Sequence, residues 1–142
     1  MERNKNLVYR AAMIPYIIEH GKIQMLFMRP SDHEFGGFTY QLAKGKVEED
    51  ESFLEAAKRE AKEEVGLFIG NVVKIEELGI FMGRTTVFVA KVKNKDMFGE
   101  PSFETESVKW MNPEEFQEDG RELHRPVIQA AVRLIKKMEE MD

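Results

Sequence analysis

The chain has 142 residues, of which 42% are hydrophobic and 33% charged, and it carries a formal net charge of -5. This length predicts a single domain over residues 1–142 that buries a core without disulfides or a structural metal. The acidic balance argues against broad binding to nucleic acid backbones, which requires a basic surface. The absence of cysteine excludes thiol catalysis and thiolate zinc sites.

The first apolar stretch, Leu7 to Ile18, is interrupted by Arg10 and Pro15, so it does not resemble a secretory signal. No apolar run approaches the roughly 20 residues that a membrane-spanning helix needs. We therefore expect a cytoplasmic protein without a membrane partner, and the lack of cysteine agrees with a reducing compartment.

Apolar, β-branched stretches with turn residues between them predict paired strands in the first third of the chain. The turn is Glu19-His20-Gly21, and Pro30 ends the second strand. The predicted elements, in chain order, are a strand over Leu7 to Ile18, a strand over Lys22 to Arg29, a polar loop over Ser31 to Phe38 and a short strand over Thr39 to Leu42 that leads into Gly45.

A long helix is predicted over about residues 53 to 65. Ser52 followed by Glu55 forms a capping box for its start, and Gly66 suits the left-handed residue at its end. At 3.6 residues per turn, Ala57 and Ala61 lie on one face of the helix, and their small side chains allow this face to pack closely on a sheet.

The second half of the chain again mixes strands and helices, without a strict alternation of the two. This predicts the α/β class, with a mixed sheet and helices packed against it. The predicted elements are strands over Val72 to Met82, Thr85 to Lys93 and Ser107 to Met111, a loop over Asn94 to Phe103, a short helix over Pro113 to Glu118, and a terminal helix behind Pro126 that packs on the sheet.

Three glutamates of the long helix, Glu60, Glu63 and Glu64, share one helical face and point toward one spot. Like charges so placed repel each other, and a bound cation is the simplest reason to keep them together. Oxygen ligands alone favour Mg²⁺ or Mn²⁺ over zinc. The alternative is a solvated face in which glutamate and lysine pair along the helix.

The full register of this segment decides between these alternatives. Residues 45–67 match the pattern G-x5-E-x7-R-E-U-x-E-E-x-G-U, where U is aliphatic, at every specified position. This pattern resembles the Nudix box, and the order of the flanking elements is also similar to that of Nudix domains. The resemblance implies a Nudix-type α/β/α sandwich that hydrolyses a nucleoside diphosphate linked to a moiety X, with Mg²⁺ or Mn²⁺ as cofactor.

The resemblance also implies roles for individual residues. The resemblance assigns metal binding to Glu60, Glu63 and Glu64, helped by the Gly45 carbonyl. It assigns a scaffolding role to the pair of Glu51 and Arg59. A carboxylate not fully occupied by metal would serve as general base. Which glutamate takes that role, and how many metal ions bind, stay open at this point.

A more distant carboxylate is expected in the segment SFETESVKWMNPEEF, because Nudix domains often carry a glutamate shortly before a tryptophan-bearing strand. We predict Glu106 as this metal-binding, catalytic residue, with Glu104 as a close second. The alternative for both is an exposed loop acid. Trp110 is predicted to be a packing residue rather than a base-stacking one.

Four basic residues are candidates for contacting substrate phosphates: Lys44, Lys46, Arg29 and Arg84. The alternative is that each makes weak surface ion pairs. The three histidines, His20, His33 and His124, lack metal-ligand spacing, and we assign them no chemistry.

The box specifies the reaction but leaves the moiety X open. The Tyr40 to Gly45 run has some likeness to Nudix members that act on dinucleoside polyphosphates, and we lean toward that class. Ala43 stands where many members carry proline, which leaves the loop geometry open but removes no ligand. Oxidised nucleoside triphosphates stay open, as do capped or triphosphorylated RNA ends, although the net charge disfavours RNA.

The expected partner is a small-molecule nucleotide, and a homodimer is left open. The alternative function is a non-catalytic Nudix-fold module that binds a nucleotide or a protein. Loss of box carboxylates would mark such a module, and none is missing here.

Overall fold

The computed structural model describes residues 3–34 and 37–142, and the predicted Ser31 to Phe38 loop includes two positions, 35 and 36, outside the described residues. The helices and strands of the described residues are β1 (Arg10–Glu19), β2 (Lys22–Pro30), β3 (Ala43–Lys46), α1 (Phe53–Val65), β4 (Val72–Phe81), β5 (Thr85–Val92), β6 (Thr105–Met111), α2 (Pro113–Asp119) and α3 (Arg125–Met138). Short 3-10 turns occur over Ile69–Asn71 and Glu122–His124.

Within the described residues the sheet has the order β4-β5-β1-β2-β6, with β3 paired to the first half of β1. Strand β1 runs parallel to β5 and antiparallel to β2 and β3, so the predicted mixed sheet is confirmed. One side of the sheet buries α3 and the other buries α1, which gives the predicted α/β/α sandwich.

The terminal helix packs on the sheet as predicted. Ile128, Ala131 and Ile135 are fully buried in a core that also contains Phe27 and Val87. The alanines of α1 behave likewise on the opposite face, since Ala57 and Ala61 are fully buried.

Three strand predictions were wrong at their ends. The first strand begins at Arg10 rather than at Leu7. The predicted short strand over Thr39 to Leu42 forms isolated bridges only at Tyr40 and Gln41, and the strand proper is Ala43–Lys46. Strand β6 starts at Thr105, two residues before the prediction, because it follows β2 past a register shift at Pro30.

No helix in the described ranges is long and apolar enough to cross a membrane.

Candidate active site

The helix α1 is held at both of its ends. Ser52 Oγ accepts from the Glu55 amide at 3.0 Å, and Glu55 Oε1 accepts from the Ser52 amide at 3.1 Å, which completes the capping box. At the other end Gly66 has φ 75°, and a Cβ built on it would lie 2.0 Å from the Gly99 carbonyl oxygen. Both termini are therefore fixed, so the glutamates of the last two turns project from a defined position.

Arg59 joins the loop before α1 to the helix itself. Its Nε and Nη2 donate to the two carboxylate oxygens of Glu51 at 2.7 and 2.8 Å, and its Nη1 donates to Glu60 Oε1 at 2.8 Å. Nη2 also donates to the Lys46 carbonyl at 3.0 Å. These hydrogen bonds hold the pKa of Glu51 at about 2 and raise that of Arg59.

Gly45 makes close contact with Glu60. A Cβ built on Gly45 would lie 2.2 Å from the carboxyl carbon of Glu60, closer than any side chain allows. The glycine therefore leaves a cradle for this carboxylate between β3 and α1.

Glu60 and Glu64 form a carboxyl pair one helical turn apart. Burial raises the pKa of Glu64 well above its usual range, and the hydrogen bond to Glu60 and the charge of Glu60 act in the same direction. The Lys44 amide donates to Glu64 Oε1 at 3.2 Å, which fixes the other side of this carboxyl. The pair thus concentrates oxygen ligands and negative potential beside Gly45.

Glu63 stands apart from this pair. Its side chain is 51% exposed and lies 3.6 Å from Arg59 Nη1. Burial, Glu60 and Glu104 raise its pKa, in that order of size, whereas Arg59 lowers it. No group of three acidic or histidine side chains among the described residues has the spacing of a finished metal cage. Glu60 and Glu64 are therefore in direct contact, and the binding of one metal ion by all three glutamates stays a prediction.

The residues present nonetheless fit a hard divalent cation. The donors are carboxylate oxygens and a backbone carbonyl, which suit Mg²⁺ or Mn²⁺ rather than a soft metal. The space left by Gly45 accommodates the Glu60 carboxylate, and Glu63 lies on the same helix within 3.6 Å of Arg59 Nη1, which also bonds Glu60. Glu60, Glu63 and Glu64, with the Gly45 carbonyl, are the residues that would hold it.

The segment that precedes β6 is bonded to the end of α1. The Ser102 amide donates to the Glu63 carbonyl at 2.7 Å, and Thr105 Oγ1 donates to the Glu64 carbonyl at 2.8 Å. Glu104 lies between these two anchors, and its charge acts on Glu63. The loop acid next to the box is therefore Glu104.

Glu106 has different surroundings. It accepts from Arg29 Nε at 3.0 Å and lies 3.3 Å from His33 Nε2, and these neighbours, His33 first, hold its pKa below the usual range. Both carboxylates stay candidates for the distal role, but the structure favours Glu104, because Glu106 already has cationic and imidazole partners.

The four basic residues lie in four different environments. Arg29 is paired with Glu106, as described above. Arg84 Nε donates to the Val8 carbonyl at 2.9 Å and holds the segment before β1. Lys46 has an exposed side chain at the end of β3. Lys44 interacts electrostatically with Glu64 and Glu60, and burial together with Arg121 and Arg10 lowers its pKa.

Residues 9–131 match the model of the NUDIX domain family. The chain belongs to the NUDIX family. It is therefore a hydrolase of phosphorus-containing anhydrides.

Solved NUDIX structures share the fold along most of the chain. An Ap4A hydrolase from C. elegans, in a binary complex, is 20% identical, with 92% of this chain and 99% of that chain covered and a TM-score of 0.74. The NUDIX domain of NrtR from Shewanella oneidensis, in complex with ADP ribose, is 16% identical over 90% and 88% of the two chains, with a TM-score of 0.69. RenU from M. smegmatis, a Nudix hydrolase, is 15% identical over 94% and 88%, with a TM-score of 0.72.

Two features of this NUDIX site were not predicted from the sequence. Arg121 lies beside the strand that leads into the box, 80 positions away from its hydrogen-bond partner Gln41. Phe103, whose ring is 89% exposed, directly precedes Glu104. The exposure of this side chain could not be predicted from the sequence, because a phenylalanine in a loop is equally compatible with a packing role.

Trp110 is the packing residue that was predicted. It is half-buried against the α1 side of the sheet, and its ring meets Phe98 edge to face at 5.7 Å between centroids.

Proposed function

We propose that this NUDIX protein is a divalent-metal-dependent pyrophosphohydrolase that cleaves the diphosphate linkage of a nucleoside diphosphate linked to a moiety X. The observation that supports this most directly is the paired Glu60 and Glu64 carboxyls beside Gly45, with Glu63 on the same helix. A diphosphate binds beside such carboxylates only if a cation lies between them, since the two groups otherwise repel each other.

The reaction is the addition of water across one bridging P–O bond. The water oxygen bonds to one phosphorus, the bridging oxygen leaves with the other phosphate, and the protons of the water go to the base, the products or solvent. When bound, Mg²⁺ or Mn²⁺ supplies charge neutralisation of the phosphate oxygens and lowers the pKa of the attacking water.

The chain's own residues then have distinct tasks. Glu64 or Glu63 would receive the proton of the water, because a carboxylate that is not fully occupied by metal can act as a general base. Arg59, held by Glu51, positions Glu60. The distal carboxylate that we propose is Glu104, whose charge acts on Glu63, and Glu106 is the second candidate.

The small-molecule substrate that we propose is a nucleotide derivative, with a lean toward dinucleoside polyphosphates. Support comes from the Tyr40 to Gly45 run and from the likeness of the fold to an Ap4A hydrolase. The exposed ring of Phe103 beside Glu104 offers a surface on which a nucleobase stacks.

The experiment separates and quantifies the phosphorylated products formed from a panel of substrates: a dinucleoside tetraphosphate, ADP-ribose, a nucleoside triphosphate and a capped RNA. Activity is expected only with added Mg²⁺ or Mn²⁺, and it should be lost in Glu64→Gln and strongly reduced in Glu63→Gln. Full activity in the presence of EDTA, or in both variants, would overturn the mechanism. Tight nucleotide binding without turnover of any substrate would instead support the non-catalytic alternative.

A further inference from the structure

The last turn of α1 is bonded through its backbone to the segment that precedes β6. Carbonyl groups at the C-terminus of a helix lack partners within the helix and accept hydrogen bonds from elsewhere. The Glu63 carbonyl accepts from the Ser102 amide at 2.7 Å. The Glu64 carbonyl accepts from Thr105 Oγ1 at 2.8 Å. Two box glutamates are therefore bonded directly to residues 102–105.

Residues 102–105 form a β-turn, which we call the β6 turn. The Thr105 amide donates to the Ser102 carbonyl at 3.1 Å and closes the turn, and the Glu104 amide donates to Ser102 Oγ at 3.4 Å. Phe103 and Glu104 are its two central residues, and both are exposed. The two corner residues are thus bonded to α1, and the two exposed side chains lie at the tip.

Ser31, the residue that directly follows β2, bonds the two central residues of the β6 turn. Its amide donates to the Glu104 carbonyl at 2.8 Å, and its hydroxyl donates to the Phe103 carbonyl at 2.7 Å. Each of the four turn residues is therefore hydrogen-bonded either to α1 or to Ser31. Such a supporting shell restricts the positions that the Glu104 carboxylate can occupy.

Thr105 and Ser31 differ in burial, which predicts contributions of different size. Thr105 is 9% exposed, so water does not readily replace its hydrogen bond to the Glu64 carbonyl when the hydroxyl is removed. Valine has nearly the same shape and also favours strands, so a change to valine removes little besides the hydroxyl. Ser31 is exposed, and water can take the place of its hydroxyl.

We propose that Thr105 and Ser31 are positioning residues, which hold the β6 turn so that the Glu104 carboxylate keeps one position beside the box glutamates. This inference rests on the proposed function, because Glu104 is the distal carboxylate proposed there. The bonds from residues 102–105 to the Glu63 and Glu64 carbonyls join both parts of the site into one unit. Displacement of the turn would misplace Glu104 for the chemical step, in which errors of about 1 Å are costly.

The first test measures kcat and KM with the substrate of the panel that is hydrolysed fastest. In Thr105→Val, kcat should fall about tenfold while KM changes less than about twofold, because Glu104 acts on the reacting centre. Thr105→Ser retains a hydroxyl donor and should keep kcat within about threefold of the wild type. Ser31→Ala should lower kcat by only about threefold, because water replaces the exposed hydroxyl. Wild-type kcat in Thr105→Val, or an equal loss in Thr105→Ser, would overturn the proposal.

A double-mutant cycle separates the positioning of Glu104 from a general loss of structure. In Glu104→Gln the carboxylate is already absent, so the added Thr105→Val substitution should lower kcat by less than about twofold. Ser107→Ala is the matched control, because it removes a hydroxyl of the same strand that bonds the Tyr40 hydroxyl at 2.9 Å, and its kcat should be unchanged. Wild-type kcat in Glu104→Gln, or a further loss in the double variant as large as that in Thr105→Val alone, would refute the proposal.

Amide hydrogen exchange of the metal-free protein measures the β6 turn without turnover. Protection of the amides of Ser102 and of residue 105 should fall about tenfold in Thr105→Val, whereas protection in the middle of α1 should stay at the wild-type value. If the wild type hydrolyses no substrate but this selective loss is found, the proposed function fails while the role of Thr105 in holding the turn stands. Wild-type protection of both amides in Thr105→Val would show that Thr105 does not hold the turn, and the proposal would then fail even in an active enzyme.

Discussion

The α-carbon of Gly45 packs against the carboxylate of Glu60, so that a β-carbon on residue 45 would lie 2.2 Å from the carboxyl carbon. This contact joins a residue of β3 to a residue of α1 and defines one wall of the site. It explains in steric terms why the box begins with glycine, since Gly45 does not appear among the described residues with positive φ.

Gly45→Ala should lower hydrolytic activity about 10- to 100-fold, because the Glu60 side chain must move away from its cradle. The atom displaced is the far end of a flexible side chain, so the protein should still fold, and its thermal unfolding should change little. Activity assays with calorimetric Mg²⁺ titration measure the effect. Gly70→Ala is the control, since a Cβ on Gly70 meets nothing within 4 Å. Wild-type activity in Gly45→Ala would contradict the assigned role of Glu60.

Glu64→Gln should inactivate the protein and stabilise it in the absence of divalent cations. An amide of the same shape avoids the cost of burying an ionisable carboxyl beside the charge of Glu60, while it still accepts from the Lys44 amide. We expect a gain on the order of 1 kcal/mol in the free energy of unfolding and a loss of at least about 100-fold in kcat.

Denaturant unfolding in EDTA tests the stability part of this prediction. Glu77→Gln, an exposed substitution on β4, should alter neither quantity. A destabilised Glu64→Gln protein would mean that the hydrogen bond between Glu60 and Glu64 stabilises the folded state by more than the burial of the Glu64 carboxyl costs.

Arg59→Lys should destabilise the protein by about 2 kcal/mol and reduce activity. Lysine keeps the positive charge, but it cannot bond both oxygens of Glu51 and reach Glu60 at the same time, as the guanidinium does. Glu51 and Glu60 have side chains only 15% and 12% exposed, so the lost hydrogen bonds are not fully replaced by water. Urea unfolding measures the change, and Arg133→Lys on exposed α3 should leave stability unchanged. Equal stability of Arg59→Lys and the wild type would show that charge alone suffices.

The fully buried His124 should contribute less to stability as the pH decreases from about 6.5. Its Nδ1 accepts from the Leu42 amide, and burial, Arg121 and Lys44 lower its pKa from 6.5 to about 3. At this site the folded state therefore binds fewer protons than the unfolded state between these values. The contribution of His124 is fully present above pH 6.5 and decreases by up to about 1.4 kcal/mol per pH unit below it.

Between pH 6.5 and 5, Glu51 and Glu139, with pKa values of about 2, keep their stabilising effect, which they lose only below about pH 4.5. Glu64, whose pKa is raised to about 9, contributes a slope of the opposite sign over this range, so the contribution of His124 is measured as a difference between two proteins. As the pH falls through this range, His124→Asn, whose side-chain oxygen accepts from Leu42, should gain stability relative to the wild type by up to about 1.4 kcal/mol per pH unit. His20→Asn, in the exposed β1–β2 turn, should have the wild-type slope. An unchanged slope in His124→Asn would assign the acid sensitivity to another group.

The helix α1 could be predicted to the residue because its ends depend on local chemistry. Ser52, Glu55 and Gly66 act within one turn of the termini, and the structure places the helix at Phe53–Val65 as expected. Strand ends were less accurate, because a strand ends where its partner ends. Strand β6 gained two residues from its pairing with β2 across the Pro30 register shift, which no local pattern reveals.

The sequence by itself determined the family, the class of reaction and the identity of the box residues, because these depend on residue types at fixed spacing along one helix and its flanking loop. Only the tertiary structure decided which side chains meet. Glu64 contacts Glu60, and Glu104 rather than Glu106 interacts with Glu63 of the box. Arg121 is hydrogen-bonded to Gln41 and interacts electrostatically with Lys44. The physical reason is that electrostatic and hydrogen-bonding contacts depend on distance in space. Residues 41 and 121 become neighbours only when the sheet and α3 have packed on each other.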